Sequence, residues 1–64
     1  MYKDFEDQLK RKGLTIYRVA KDCDINAMSL YDWKNGKSVP KYDKMLRLAV
    51  YLDVPVLQLM KEGD

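Results

Sequence analysis

At 64 residues the chain is about half of one ordinary domain, which excludes a second domain before any pattern is read. Cys23 is its one cysteine and it has no histidine, so an intrachain disulfide and an ordinary zinc ligand set are excluded, leaving packed helices, with dimerisation, to stabilise it. A hydrophobic share of 47%, a charged share of 34% and a net charge of +2 describe a globular chain and single out no partner.

Tyr2, Phe5 and Leu9 recur at three- and four-residue spacing, which predicts a first helix over 2–12 stopped by Gly13. Thr15 then offers an N-cap hydroxyl, with Leu14 and Val19 at the spacing of a hydrophobic staple around it. The second helix is expected over about 16–22, with Ile16, Val19, Ala20 and Cys23 on one side. Asn26 repeats the pattern, flanked by Ile25 and Leu30, and opens a third helix over about 27–34 that buries Leu30 and Trp33. Asn35 and Gly36 are expected to end it through left-handed angles. So few residues between two short helices force a steep crossing, as in a helix-turn-helix spanning about 16–35.

Ser38 and Val39 before Pro40 are expected to be extended. A fourth helix over about 42–52 places Tyr42, Met45, Leu48, Ala49 and Leu52 at helical spacing, with Lys44 and Arg47 pointing outward. Asp43 in its first turn suits the helix dipole. Pro55 starts a last short helix, 56–60, and Glu62, Gly63 and Asp64 are expected to fray.

Charge is distributed unevenly. Residues 1–33 are balanced, with six basic and six acidic side chains. Lys34, Lys37, Lys41, Lys44 and Arg47 face Asp43 alone, a local +4, and residues 48–64 carry −2. A basic loop on a balanced body has the form of a patch that meets phosphate, although lysines kept for solubility would look the same. No apolar run approaches the ~20 residues needed to cross a bilayer, and the mixed charge of residues 1–6 is not that of a signal peptide. The unpaired cysteine fits a reducing compartment, the cytoplasm. Without histidine or a Gly-rich phosphate loop, binding and not catalysis is the expected activity, with no metal, cofactor, small-molecule ligand or membrane involved.

At this point the residues become recognisable. Residues 14–60 resemble the helix-turn-helix domain of the phage repressor and Cro family, and the preceding segment matches that family's first helix. The matching features keep a gap-free spacing: Leu14 and Thr15 open the second helix, Val19 and Ala20 lie within it, and Ile25 is in the turn. Leu30, Trp33, Gly36, Lys37, Pro40, Leu48, Ala49, Leu52, Val54 and Leu59 follow in order. The resemblance implies an all-α, compact five-helix, lambda-repressor-like domain over 1–64. It also implies a sequence-specific transcriptional regulator, of repressor type, on double-stranded DNA. In 64 residues there is no room for a sensor domain, so a Cro-sized regulator or a stand-alone repressor domain is expected.

Carried over by position, Asn26, Ala27, Met28 and Ser29 would face base edges in the major groove, with Asp32 one turn on. Thr15, Ile16 and Tyr17 would grip a phosphate through the amides at the start of the second helix. Lys34, Asn35, Lys37, Ser38 and Lys41 would touch the flanking backbone, Lys37 as a phosphate ligand. The chain departs from the family pattern at Ile16, where glutamine is usual, and at Asp24, where glycine is. Lys34 replaces a glutamate, whose basic partner on the first helix would be at Leu9, and Lys41 replaces an N-cap serine. Ala27 and Met28 make no paired hydrogen bonds to bases but can pack against thymine methyls, and Asp32 can accept from cytosine.

Other residues have plainer readings. Trp33 and Cys23 are expected in the core, Cys23 as an inert thiol. Tyr17 and Tyr31 either bind phosphate or cover the rim. Tyr51, Val56 and Leu57 are expected to join two subunits on an inverted-repeat operator. The alternative is a protein-interaction module that keeps the fold without reading DNA, favoured by the weak code of Ala27, Met28 and Asp32.

Overall fold

The protein is described by a computed structural model over residues 1–60, and the fraying expected of residues 62–64 lies outside them. The chain folds as α1 (Tyr2–Lys12), α2 (Ile16–Cys23), α3 (Ala27–Lys34), α4 (Tyr42–Leu52) and α5 (Val56–Met60), with no strand among the described residues. These bounds follow the hydrophobic spacing, except that α2 runs on to Cys23.

Three of the reversals use one device. Gly13 (φ 66°), Asp24 (φ 56°) and Asp53 (φ 58°) sit in the left-handed region. The residue after each folds back: Leu14 N–H donates to Leu9 O at 2.9 Å, Ile25 to Ala20 at 2.9 Å and Val54 to Ala49 at 3.0 Å. The bond directs the following apolar side chain onto the core, where Ile25 is buried and Leu14 and Val54 pack against its edge. Gly36 (φ 75°) makes the fourth such turn, with Lys37 N–H donating to Asp32 O at 2.8 Å, but here the chain carries a lysine to the surface. Asn35, expected to share that left-handed turn, has φ −89° and does not.

The helix starts are fixed as locally. Thr15 Oγ1 accepts from Arg18 N–H at 3.1 Å, and Asn26 Oδ1 from Met28 N–H at 2.9 Å. Both hydrophobic staples close, since Val19, Ile25 and Leu30 are buried and Leu14 is partly so.

Helix α1 holds α3 through three rings. Trp33 meets Tyr2 edge-on at 5.5 Å and Phe5 at 5.3 Å, with Tyr2 and Phe5 5.8 Å apart. Burial, helped by the nearby Glu6 carboxylate, pushes the Tyr2 phenol up to about 12. The Met1 amino group donates to Leu59 O, joining the start of α1 to α5. Helix α4 packs on α2 and α5 through Met45, Leu48, Ala49 and Leu52. Tyr42 departs from the expected stripe and is 54% exposed.

Candidate nucleic-acid interface

The start of α2 combines a capping hydroxyl with unused amides. Thr15 takes the Arg18 N–H in its side chain and the Val19 N–H in its carbonyl, so the Ile16 and Tyr17 amides precede the first helical bond. Tyr17 is exposed, whereas the Ile16 side chain is buried in the core. Of Ile16, only the backbone is therefore free to meet a phosphate.

The first turn of α3 is more divided than its spacing implied. Asn26 is exposed, but its Oδ1 is committed to the Met28 amide. Ala27 packs partly against the core, and Ser29 and Asp32 are half-buried. Ala27, two residues after the buried Ile25, keeps part of its surface exposed. Met28 projects, 62% exposed, and Tyr31 is exposed as well.

Lys34, Asn35, Lys37, Ser38 and Lys41 are all exposed along the segment that leaves α3. On α1, by contrast, Lys3 pairs with Asp7 at 3.8 Å and Lys10 with Glu6 at 3.7 Å. Among the described residues no carboxylate pairs with Lys34, Lys37 or Lys41, so this positive charge is uncompensated locally. Arg47 and Lys44 do not simply extend the patch. Lys44 is half-buried, and the Arg47 guanidinium reaches the Asp24 carbonyl at 3.5 Å, toward the turn between α2 and α3.

A polar clamp that sequence spacing only half revealed sits behind this face. Arg18 Nε donates to Asp22 Oδ2 at 2.9 Å, and the Tyr51 hydroxyl donates to the same oxygen, tying α4 to α2. The Tyr51 hydrogen bond, then that of Arg18, holds the Asp22 carboxyl below its usual range, and Asp22 in turn raises the Tyr51 phenol. Arg18 and Asp22 stand at i,i+4 and were legible as a pair; Tyr51, 29 residues away in sequence, was not. Burial, then the Asp22 charge, pushes the Cys23 thiol up, as expected of an inert core cysteine.

The three residues expected at a subunit contact differ in exposure. Tyr51 and Val56 pack partly against the core, and only Leu57, 74% exposed, stands free of the three. Leu46 and Val50, one turn apart on α4, are exposed too and were missed. Their i,i+4 spacing off the buried stripe was the available signal.

Two short helices joined through residues 24–26, the second leading at its C-terminal end into an exposed basic loop, define a helix-turn-helix module. The chain belongs to the Cro/C1-type helix-turn-helix family, whose model, described as helix-turn-helix, matches residues 6–59. This is a family of DNA-binding transcription regulators, typically non-enzymatic, and the partner it implies is double-stranded DNA. No curated protein and no solved structure matches the chain significantly. Among the described residues no helix is long and apolar enough to cross a membrane, and no acidic or cysteine cluster is arranged to hold a metal.

Proposed function

We propose that the protein is a sequence-specific repressor of phage or mobile-element type that lays α3 in the major groove. The observation that carries this reading is the exposed charge of Lys34 at the end of α3 and of Lys37 and Lys41 in the segment after it, none of them ion-paired among the described residues. Phosphate contacts from that loop and from the Ile16 and Tyr17 amides would set the register of α3 on the duplex. Asn26, Met28 and, from the edge, Ala27, Ser29 and Asp32 would then meet the bases. Thr15 supports the α2 amides, and Asn35 and Ser38 flank the lysines. Bound over a promoter, such a domain excludes other proteins by occupying the site.

The reading includes a homodimer on an inverted repeat, because one short helix discriminates weakly and two double the contacts. Leu46, Val50 and Leu57 are among the exposed apolar residues and would join the copies. The weak code of Ala27, Met28 and Asp32 is what favours the second reading, a protein-interaction module; the exposed lysines at the end of α3 favour DNA.

Selection from random duplexes, with a salt titration of the bound pool, tests the proposal. Three lysines in each of two subunits predict a slope of log K on log salt of about −5. An enriched motif with a steep slope is the expected result. A pool without enrichment and a flat salt response would refute it and leave the protein-interaction module.

A further inference from the structure

We propose that Met28 reads the 5-methyl group of pyrimidines, so that the domain selects thymine and accepts 5-methylcytosine in its place. This rests on the preceding reading, in which α3 enters the major groove. Base edges there present donors, acceptors and one apolar group, the thymine methyl. Of the side chains of this turn, Met28 matches only the last of these. Asn26 Oδ1 already accepts the Met28 amide at 2.9 Å. Ala27 has no polar side-chain atom and leans on the core, and Ser29 is half-buried. Met28 is the long side chain that projects, 62% exposed, and no demand of the core explains its apolar character.

Its thioether has no donor and is a weak acceptor. Laid against the polar edge of adenine, guanine or cytosine, it would strip water from groups and give them no partner, which is costly. Laid against a C5 methyl it buries apolar surface on both sides and incurs no such loss. An unbranched, polarizable side chain also adapts to the methyl's position along the groove. Selectivity therefore comes from a gain on the methylated edge and a penalty on the others. Cytosine methylated at C5 presents the same group, which makes it a second ligand of this site.

The test uses the duplex recovered by selection, rebuilt with each thymine of the half-site replaced in turn by deoxyuridine. This change removes the methyl and leaves the hydrogen-bonding edge intact. At the thymine facing Met28 the expected loss is about fourfold per half-site, the worth of one buried methyl-sized group. A 5-methylcytosine at that position should bind more tightly than cytosine by a similar factor. Met28→Ala should bind thymine and deoxyuridine duplexes alike while keeping the salt slope, and its melting temperature should match the parent's because Met28 is not in the core. If the parent binds all thymine and deoxyuridine duplexes equally, or Met28→Ala still discriminates, methyl reading by Met28 is refuted and DNA binding stands. If no duplex is enriched, both fall together.

Discussion

Replacing Trp33 by alanine tests the link between the core and the DNA-facing helix. The indole is 5% exposed and is the member of the ring cluster contributed by α3, at 5.5 Å from Tyr2 and 5.3 Å from Phe5. Truncating a buried aromatic costs about 3–5 kcal/mol, and each lost ring pair adds up to about 1 kcal/mol within that range. At about 0.05–0.15 kcal/mol per residue, a domain of this length has a total stability of roughly 3–10 kcal/mol. Trp33→Ala should therefore lose about a third or more of the total stability, whereas Trp33→Phe, which keeps a ring between α1 and α3, should lose less. Urea denaturation followed by circular dichroism measures both, because the substitution removes the one tryptophan and its fluorescence. An alanine variant melting within about 4 °C of the parent, a shift worth less than about 1 kcal/mol, would show that Trp33 does not join α1 to α3.

Other predictions follow from the turns, the clamp and the basic loop. Asp24→Gly, which relieves a left-handed non-glycine residue, should stabilise the domain by about 0.5–1 kcal/mol in the same denaturation assay, and a loss would mean the aspartate side chain has a further role. Because the folded Asp22 carboxyl lies below its ordinary value of 3.8, its contribution is complete above that value and is lost as pH falls through the lower folded one. Asp22→Asn should flatten the acid side of the stability–pH profile, and an unchanged profile would exclude the Tyr51–Asp22–Arg18 clamp as its source. Lys37→Ala should weaken binding equally on all sequences and lower the salt slope by about one unit per bound subunit; unchanged affinity and slope would remove this loop from the interface. Inserting five base pairs between half-sites turns the second to the opposite face, so affinity should fall to that of a single site, and retained affinity at one protein per duplex would refute the dimer.

The local structure of this chain was written in short-range chemistry. Thr15 and Asn26 announce helix starts because their side-chain oxygens can accept orphan amides within two or three residues. Gly13 and Gly36 announce stops because they enter left-handed angles without a Cβ clash. Trp33 and Leu30 identify the buried side of α3 by spacing alone, so the helix-turn-helix and its placement among five helices were legible before any coordinates. The charge of the loop after α3 was equally plain, since it depends only on composition.

Tertiary packing decided which of the exposed positions are free to act. Ala27 and Met28 are neighbours on one turn, yet the first leans on the core and the second projects, a difference set by how the turn through Ile25 is anchored. Tyr51 reads in sequence as a subunit-contact residue, and its bond to Asp22 exists only because α4 packs on α2 and brings the two together. Spacing off the buried stripe marks Leu46 and Val50 in the sequence, and the packing of the other side of α4 leaves both exposed. Sequence by itself determined the helices, their ends and the site of the basic loop, because caps, turns and charge act over a few residues. Which side chains remain available to a partner depends on contacts between residues far apart in the chain, and only the folded arrangement contains those.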